Sequence, residues 1–317
     1  MPSAITFLFP GQGSQAVGMG KELAERYRVA RETFAEADCA LGYSLSQLCF
    51  EGPEDKLKLT EITQPAILTV SIAAQRVLAE EGVQPQYVAG HSLGEYSAHV
   101  AAGTLSFSDA VRTVSKRGKY MQEAVPVGVG AMAAVLALAL EPLEEVCRQA
   151  QVETVGTVAP ANINSPDQIV ISGSKAAVER AAELAKAKGA KRTVMLPVSA
   201  PFHCSLMQPA QDRLALDLRA LRFSPPRFPV VTNVDAKPVQ DAEEARQALI
   251  RQVTGAVQWA RSTQMLIGLG IQTFVEVGPG KVLIGLLRQI DRSKMALNVE
   301  NEDSLQKTLA ALSAQPA

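Results

Sequence analysis

Short apolar runs alternate along this chain with longer helical stretches, the arrangement of strands interleaved with helices. Ile5–Phe9 reads as a first strand. The loop Pro10-Gly11-Gln12-Gly13-Ser14-Gln15 follows, then a helical stretch from Lys21 to about Ala40. A second helical stretch, Gln64 to Glu81, stops at Gly82, since glycine readily takes the left-handed conformation that ends helices. Tyr87–Gly90 reads as a strand leading into Ser92 and a helix through His99. Ser106-Phe107-Ser108-Asp109 reads as the cap of a helix running to about Ala124.

Between Gly130 and Pro197 the pattern predicts strand Ala131–Leu138, helix Pro142–Ala150, strands Thr157–Ile163 and Gln168–Ser172, helix Lys175–Lys188 and strand Arg192–Leu196. The two middle strands are joined by Asn164-Ser165-Pro166-Asp167, a turn sequence. That order, β-α-β-β-α-β, is the order of a ferredoxin-like split βαβ unit. It predicts an α/β fold in which residues 128–197 form a small inserted subdomain and residues 1–127 and 198–317 form the larger core. Beyond it the pattern gives helix Ser205–Leu221, strand Pro229–Thr232, two helices, strand Thr273–Val277, and the turn Gly278-Pro279-Gly280 before another helix.

Composition narrows the class. With 47% hydrophobic and 20% charged residues the chain is expected to be a soluble globular protein. A net charge of -1 argues against a nucleic-acid binder. The longest apolar run, Ala131–Leu140, is about half the roughly 20 residues of a membrane-spanning helix, and no basic residue precedes the apolar stretch Ala4–Phe9. The expectation is a cytoplasmic protein without a membrane partner. Cys39, Cys49, Cys147 and Cys204 form no Cys-x-x-Cys pair and are expected as buried thiols. With three dispersed histidines, no metal site is expected.

The chemistry concentrates at Gly90-His91-Ser92-Leu93-Gly94, a Gly-x-Ser-x-Gly motif with a strand before it and a helix after it. In such an elbow the flanking glycines make room for a sharp turn that projects the serine oxygen at a helix N-terminus. Serine needs a base. His99 lies about two helical turns beyond Ser92, too far to reach, and the elbow sends His91 away. His203, in Ser199-Ala200-Pro201-Phe202-His203-Cys204, remains. None of the ten acidic residues between Ser92 and His203 stands in a motif that marks an orienting acid; a backbone carbonyl would serve equally. Oxyanion donors are expected from the N–H of Leu93 and from the Gly11-Gln12-Gly13 loop.

Two other motifs are set aside. Gly11-Gln12-Gly13-Ser14-Gln15-Ala16 fits a dinucleotide fingerprint, but no second strand ending in an acidic residue follows its helix. Gly278-Pro279-Gly280-Lys281 lacks the Ser/Thr and upstream glycine of a phosphate loop, and reads as a helix-start turn. Lys186, Lys188, Lys191 and Arg192 read as a solvated helix end, or else as a docking surface for an acidic partner.

Taken together, Pro10–Gln15, Gly90–Glu95, Arg117-Gly118 with Met121-Gln122, Gly130-Ala131-Met132, Asn162–Pro166, His203, and Gln252 with Val257-Gln258-Trp259 resemble the malonyl-CoA:acyl carrier protein transacylases across nearly the whole chain. The resemblance implies a hydrolase-like core and a malonyltransferase of fatty acid synthesis. Malonyl-CoA and acyl carrier protein would be its substrates, it would need no cofactor, and a monomer is expected. It implies Ser92 as nucleophile, His203 as base, the backbone N–H groups of Gln12 and Leu93 as oxyanion hole, and the Gln252 carbonyl as the group orienting His203. It implies Arg117 as partner of the malonyl carboxylate, with Asn162, Met121 and Phe202 in the pocket region. A trans-acting acyltransferase of a polyketide synthase and a serine thioesterase or esterase are the competing readings.

Overall fold

The computed structural model describes residues 4–198 and 200–314; Ser199, in the loop before His203, lies outside them, as do the outermost residues of the expected core. In chain order the elements begin with β1 (Ile5–Phe9), α1 (Lys21–Arg26), α2 (Arg28–Leu41), α3 (Leu45–Glu51), α4 (Glu54–Leu57), α5 (Thr60–Glu80), β2 (Tyr87–Gly90), α6 (Leu93–Ala101) and α7 (Phe107–Glu123). Then come β3 (Gly130–Leu136), α8 (Leu140–Thr154), β4 (Val158–Ser165), β5 (Gln168–Ser174), α9 (Lys175–Ala187) and β6 (Arg192–Met195). The last third holds α10 (Gln208–Ala220), β7 (Val230–Val231), β8 (Pro238–Val239), α11 (Ala242–Gln252), α12 (Trp259–Gly268), β9 (Thr273–Val277), α13 (Val282–Ile290), β10 (Met295–Val299) and α14 (Glu302–Ser313).

A six-stranded sheet in the order β10-β9-β1-β2-β7-β8 forms the centre, parallel except for the pairing of β7 with β8. Its central strands are buried on both faces, as parallel strands covered by crossover helices must be: Phe7, Leu8 and Phe9 of β1 and all five residues of β9 are buried. The expected α/β fold with a parallel sheet is therefore what the chain adopts. A second sheet, antiparallel, runs β4-β5-β3-β6. α8 and α9 cover it, and Val135, Leu143, Val146, Ile171 and Val178 lie in a hydrophobic cluster of their own.

Several elements differ from the sequence reading. The stretch expected as one helix from Lys21 is broken at Tyr27, which is extended at φ −109, ψ 125; α2 then buries Ala30, Phe34 and Ala37. α5 starts at Thr60, before the expected Gln64, and carries Pro65 inside it. Proline removes the N–H that would bond the carbonyl of Glu61, and that carbonyl accepts from Ser115 Oγ at 3.3 Å instead. The short strand β8, the edge strand β10 and the helices α3, α4 and α14 were absent from the expected pattern. Cys49, Cys147 and Cys204 are buried, but Cys39 is exposed, contrary to expectation.

Candidate active site

β1 and β2 lie side by side, with Phe9 opposite Gly90, so the loops leaving their C-terminal ends meet. The turn after β2 is as tight as the motif requires. A Cβ at Gly90 would run into the backbone of Gly94 and Glu95, and one at Gly94 would strike the Phe9 carbonyl. Between them Ser92 is held at φ 51, ψ −106, a conformation costly for a residue with a side chain. The loop after β1 closes on the same turn: a Cβ at Gly11 would lie 2.5 Å from the His91 carbonyl oxygen. This contact brings Gln12 to the mouth of the site.

Ser92 Oγ lies 2.7 Å from His203 Nε2. His203 comes from the loop before α10, itself at a positive φ of 59. Its Nδ1 lies 2.9 Å from the main-chain oxygen of Gln252. A carbonyl can only accept, so Nδ1 carries the proton and Nε2 presents its lone pair to the serine hydroxyl. Burial, with the nearby Arg117 charge adding to it, pushes the imidazole down to about 3, so the ring is neutral at physiological pH. The other two histidines lie away from the Ser92 hydroxyl. His91 Nε2 bonds Asn164 Oδ1 at 2.9 Å beside the Trp259 ring, and His99 is fully buried on α6.

Arg117, from the middle of α7, is 2% exposed. Its guanidinium donates through Nη1 to Gln64 Oε1 at 2.7 Å, and through Nη2 to Gln252 Oε1 at 2.9 Å and Ser92 Oγ at 3.2 Å. Each acceptor is neutral. Among the described residues this buried cation has no salt-bridge partner, an arrangement that desolvation makes costly until an anion arrives. Gln252 serves twice, because its side chain also donates through Nε2 to the Ser92 carbonyl at 2.8 Å and to Glu95 Oε2 at 2.7 Å.

Ser92, Leu93, His203, Arg117, Gln12, Asn162, Met121 and Phe202 all line one cleft of about 500 Å³. Gln252 stands behind it, fully buried. The far wall comes from the antiparallel sheet and its exit: Met132, Leu196, Pro197 and Val198. The residues that the resemblance implied for the site thus lie in or directly behind the same cleft, whereas the basic cluster around Lys188 does not line it. Such a site can pass an acyl group through a serine ester, since it holds a hydroxyl, a neutral imidazole and a cation together.

Residues 6–308 match the family described as acyl transferase domain. A malonyl CoA-acyl carrier protein transacylase of Salmonella typhimurium is 52% identical over 285 residues, 90% of this chain and 92% of that protein. The chain belongs to the acyl transferase family, in the group of malonyl CoA-acyl carrier protein transacylases. The solved structure of such a transacylase from Coxiella burnetii superposes with a TM-score of 0.96 at 45% identity, over 98% of each chain. A malonyl-transacylase solved in complex with a type II PKS acyl-carrier protein gives a TM-score of 0.94 at 46% identity, over 98% of this chain and 100% of that one.

Three residues at the site escaped the sequence reading. Gln64 holds Arg117 from α5. Asn233, after β7, bonds the serine turn through its side chain: Oδ1 accepts from Ser92 N and Nδ2 donates to the Gly90 carbonyl, both at 2.7 Å. Glu95 stood inside the quoted motif, yet nothing local marks it as the acceptor of bonds from both Gln252 and Asn233. Burial raises its carboxyl to about 7. Of the basic cluster, Lys188 pairs with Glu145 at 3.4 Å on an exposed face. Among the described residues no helix is long and apolar enough to cross a membrane.

Proposed function

We propose that this chain moves a malonyl group from malonyl-CoA to the pantetheine thiol of an acyl carrier protein, through an ester on Ser92, in fatty acid synthesis. The observation that carries the reading is the buried Arg117 guanidinium, 3.2 Å from Ser92 Oγ and with no salt-bridge partner among the described residues. A malonyl group brings the missing anion, and a planar carboxylate matches a guanidinium fork through charge-assisted bonds. An acetyl group brings nothing to pair with the cation.

In the first half-reaction Ser92 Oγ attacks the thioester carbonyl while its proton passes to His203 Nε2. The C–S bond breaks and the coenzyme A sulfur takes that proton. In the second half-reaction the carrier thiol gives its proton to His203 and its sulfur attacks the ester. The C–O bond then breaks and Ser92 Oγ is reprotonated. The Gln252 carbonyl holds the imidazole in the tautomer both halves need, as the 2.9 Å contact supports. Leu93, at the first helical position of α6, has an N–H that the helix leaves unpaired. That N–H and the Gln12 N–H are the donors for the tetrahedral oxyanion. Met121, Phe202 and Asn162 shape the acyl pocket. No metal or organic cofactor takes part, because the coenzyme A thioester is itself the substrate.

The same reading assigns residues 1–127 and 198–317 to a hydrolase-like core and 128–197 to a ferredoxin-like subdomain. The two separate sheets and the separate hydrophobic cluster of the second support it. A cytoplasmic monomer completes it. Delivery to a polyketide carrier is a second reading, favoured by the likeness to the type II PKS partner.

The test compares malonyl and acetyl transfer to holo carrier protein in wild type and Arg117→Ala. The malonyl preference is expected to fall about 100-fold, the worth of two charge-assisted bonds. An unchanged ratio would remove Arg117 from substrate recognition.

A further inference from the structure

A non-glycine residue at φ 51, ψ −106 costs on the order of 1–3 kcal/mol and persists only where its surroundings hold it. We propose that Asn233 is the positioning residue that keeps Ser92 in its reactive turn, an inference that rests on Ser92 carrying the acyl group. Its carboxamide bridges the turn, accepting from the N–H of Ser92 and donating to the carbonyl of Gly90, each at 2.7 Å. These partners lie 141 and 143 residues away in sequence, so neither bond is a by-product of local folding. Asn233 is 1% exposed, so both bonds are made inside the protein, away from bulk solvent.

The bridge is anchored from beneath. The N–H of Asn233 donates to Glu95 Oε2 at 3.1 Å, and Glu95 sits in the first turn of the helix that Ser92 begins. The same carboxylate oxygen accepts from Gln252 Nε2, which also donates to the carbonyl of Ser92. The main-chain N–H and C=O of Ser92 are therefore each bonded to a buried side-chain amide, and both amide-bearing residues are tied to Glu95. One chemical consequence follows directly. The Ser92 N–H is committed to Asn233 and unavailable to an oxyanion, which leaves that work to Leu93 and the Gln12 loop. Without the bridge two buried polar groups lose their partners. The turn then relaxes and the hydroxyl leaves the line of attack.

The experiment mixes wild type and Asn233→Ala rapidly with malonyl-CoA, quenches in acid, and reads acyl-enzyme by intact mass against time. The variant is expected to acylate about 100-fold more slowly, as a displacement near 1 Å would cause. It should still reach full occupancy and keep its malonyl-over-acetyl ratio, because Arg117 retains Gln64 and Gln252. A reduced amplitude at the wild-type rate constant would make Asn233 merely structural and overturn the inference. If Asn233→Ala does not fold, Asn233→Asp carries the same test. It is isosteric and keeps an acceptor for the Ser92 N–H, but turns an oxygen toward the Gly90 carbonyl. Slowed acylation is expected there too, and a wild-type rate overturns the inference. Failure of the wild type to form any acyl-enzyme would instead overturn the reading of Ser92 beneath it.

Discussion

β1 is flanked by two strands that each run into a helix, β2 into α6 and β9 into α13. The two turns meet the same geometrical demand with different residues. Between β9 and α13 the chain uses Gly278 at φ 133 and Gly280 at φ 83, where glycine bears the left-handed backbone at no steric cost. Between β2 and α6 the strained position is occupied by Ser92, at φ 51. Each turn has a buried glutamate that burial raises to about 7, but the two are employed differently. Glu276, near the end of β9, accepts from the N–H of Ile284 and so caps the helix that follows. Glu95 accepts from Asn233 and Gln252, which reach in from the far half of the chain to hold the turn. Where only a change of direction is needed, glycine suffices; where an oxygen must project, the strain is kept and external bonds hold it.

That contrast can be tested at its strained end first. Ser92→Gly and Ser92→Ala both remove the hydroxyl, and each is expected to lower transfer by about 10⁶-fold. Their stabilities should nonetheless differ. Alanine keeps the Cβ at positive φ and glycine does not, so Ser92→Gly should unfold in urea with about 1 kcal/mol more stability than Ser92→Ala. The ordinary preference for alanine at that position would show that the turn is unstrained.

The smallest expected effect lies at the other turn. A Cβ at Gly280 would meet nothing closer than Ser14 Cβ at 3.5 Å. Gly280→Ala should therefore cost only the backbone term, about 1 kcal/mol by urea unfolding, with the transfer rate unchanged. A loss of rate there would mean that the second turn also positions the site.

What the sequence made legible follows the range of the interactions. β1, β2 and β9 carry buried apolar runs bounded by turn residues, and their expected limits coincide with those observed. The glycines around Ser92 announced the elbow because their constraint is local, and His203 was reached because so few histidines compete. β10 went unread: only Val299 in it is buried, so the strand lacks the apolar run of its neighbours. The break at Tyr27 has no proline or glycine to signal it. Asn233, Gln64 and the side chain of Gln252 were invisible for another reason. Their bonds to the site span 53 to 160 residues, and no local pattern records a contact of that reach.

Both half-reactions pass through an acyl group carried by one oxygen, Ser92 Oγ. Malonyl-CoA is added without carrier protein to wild type and to Ser92→Ala, and each is read by intact mass and then by peptide mapping. The expected result is one malonyl group per chain on the peptide holding Ser92, and none on the variant. A malonyl group borne by Ser92→Ala at comparable occupancy, or mapped to any other peptide of the wild type, would contradict it.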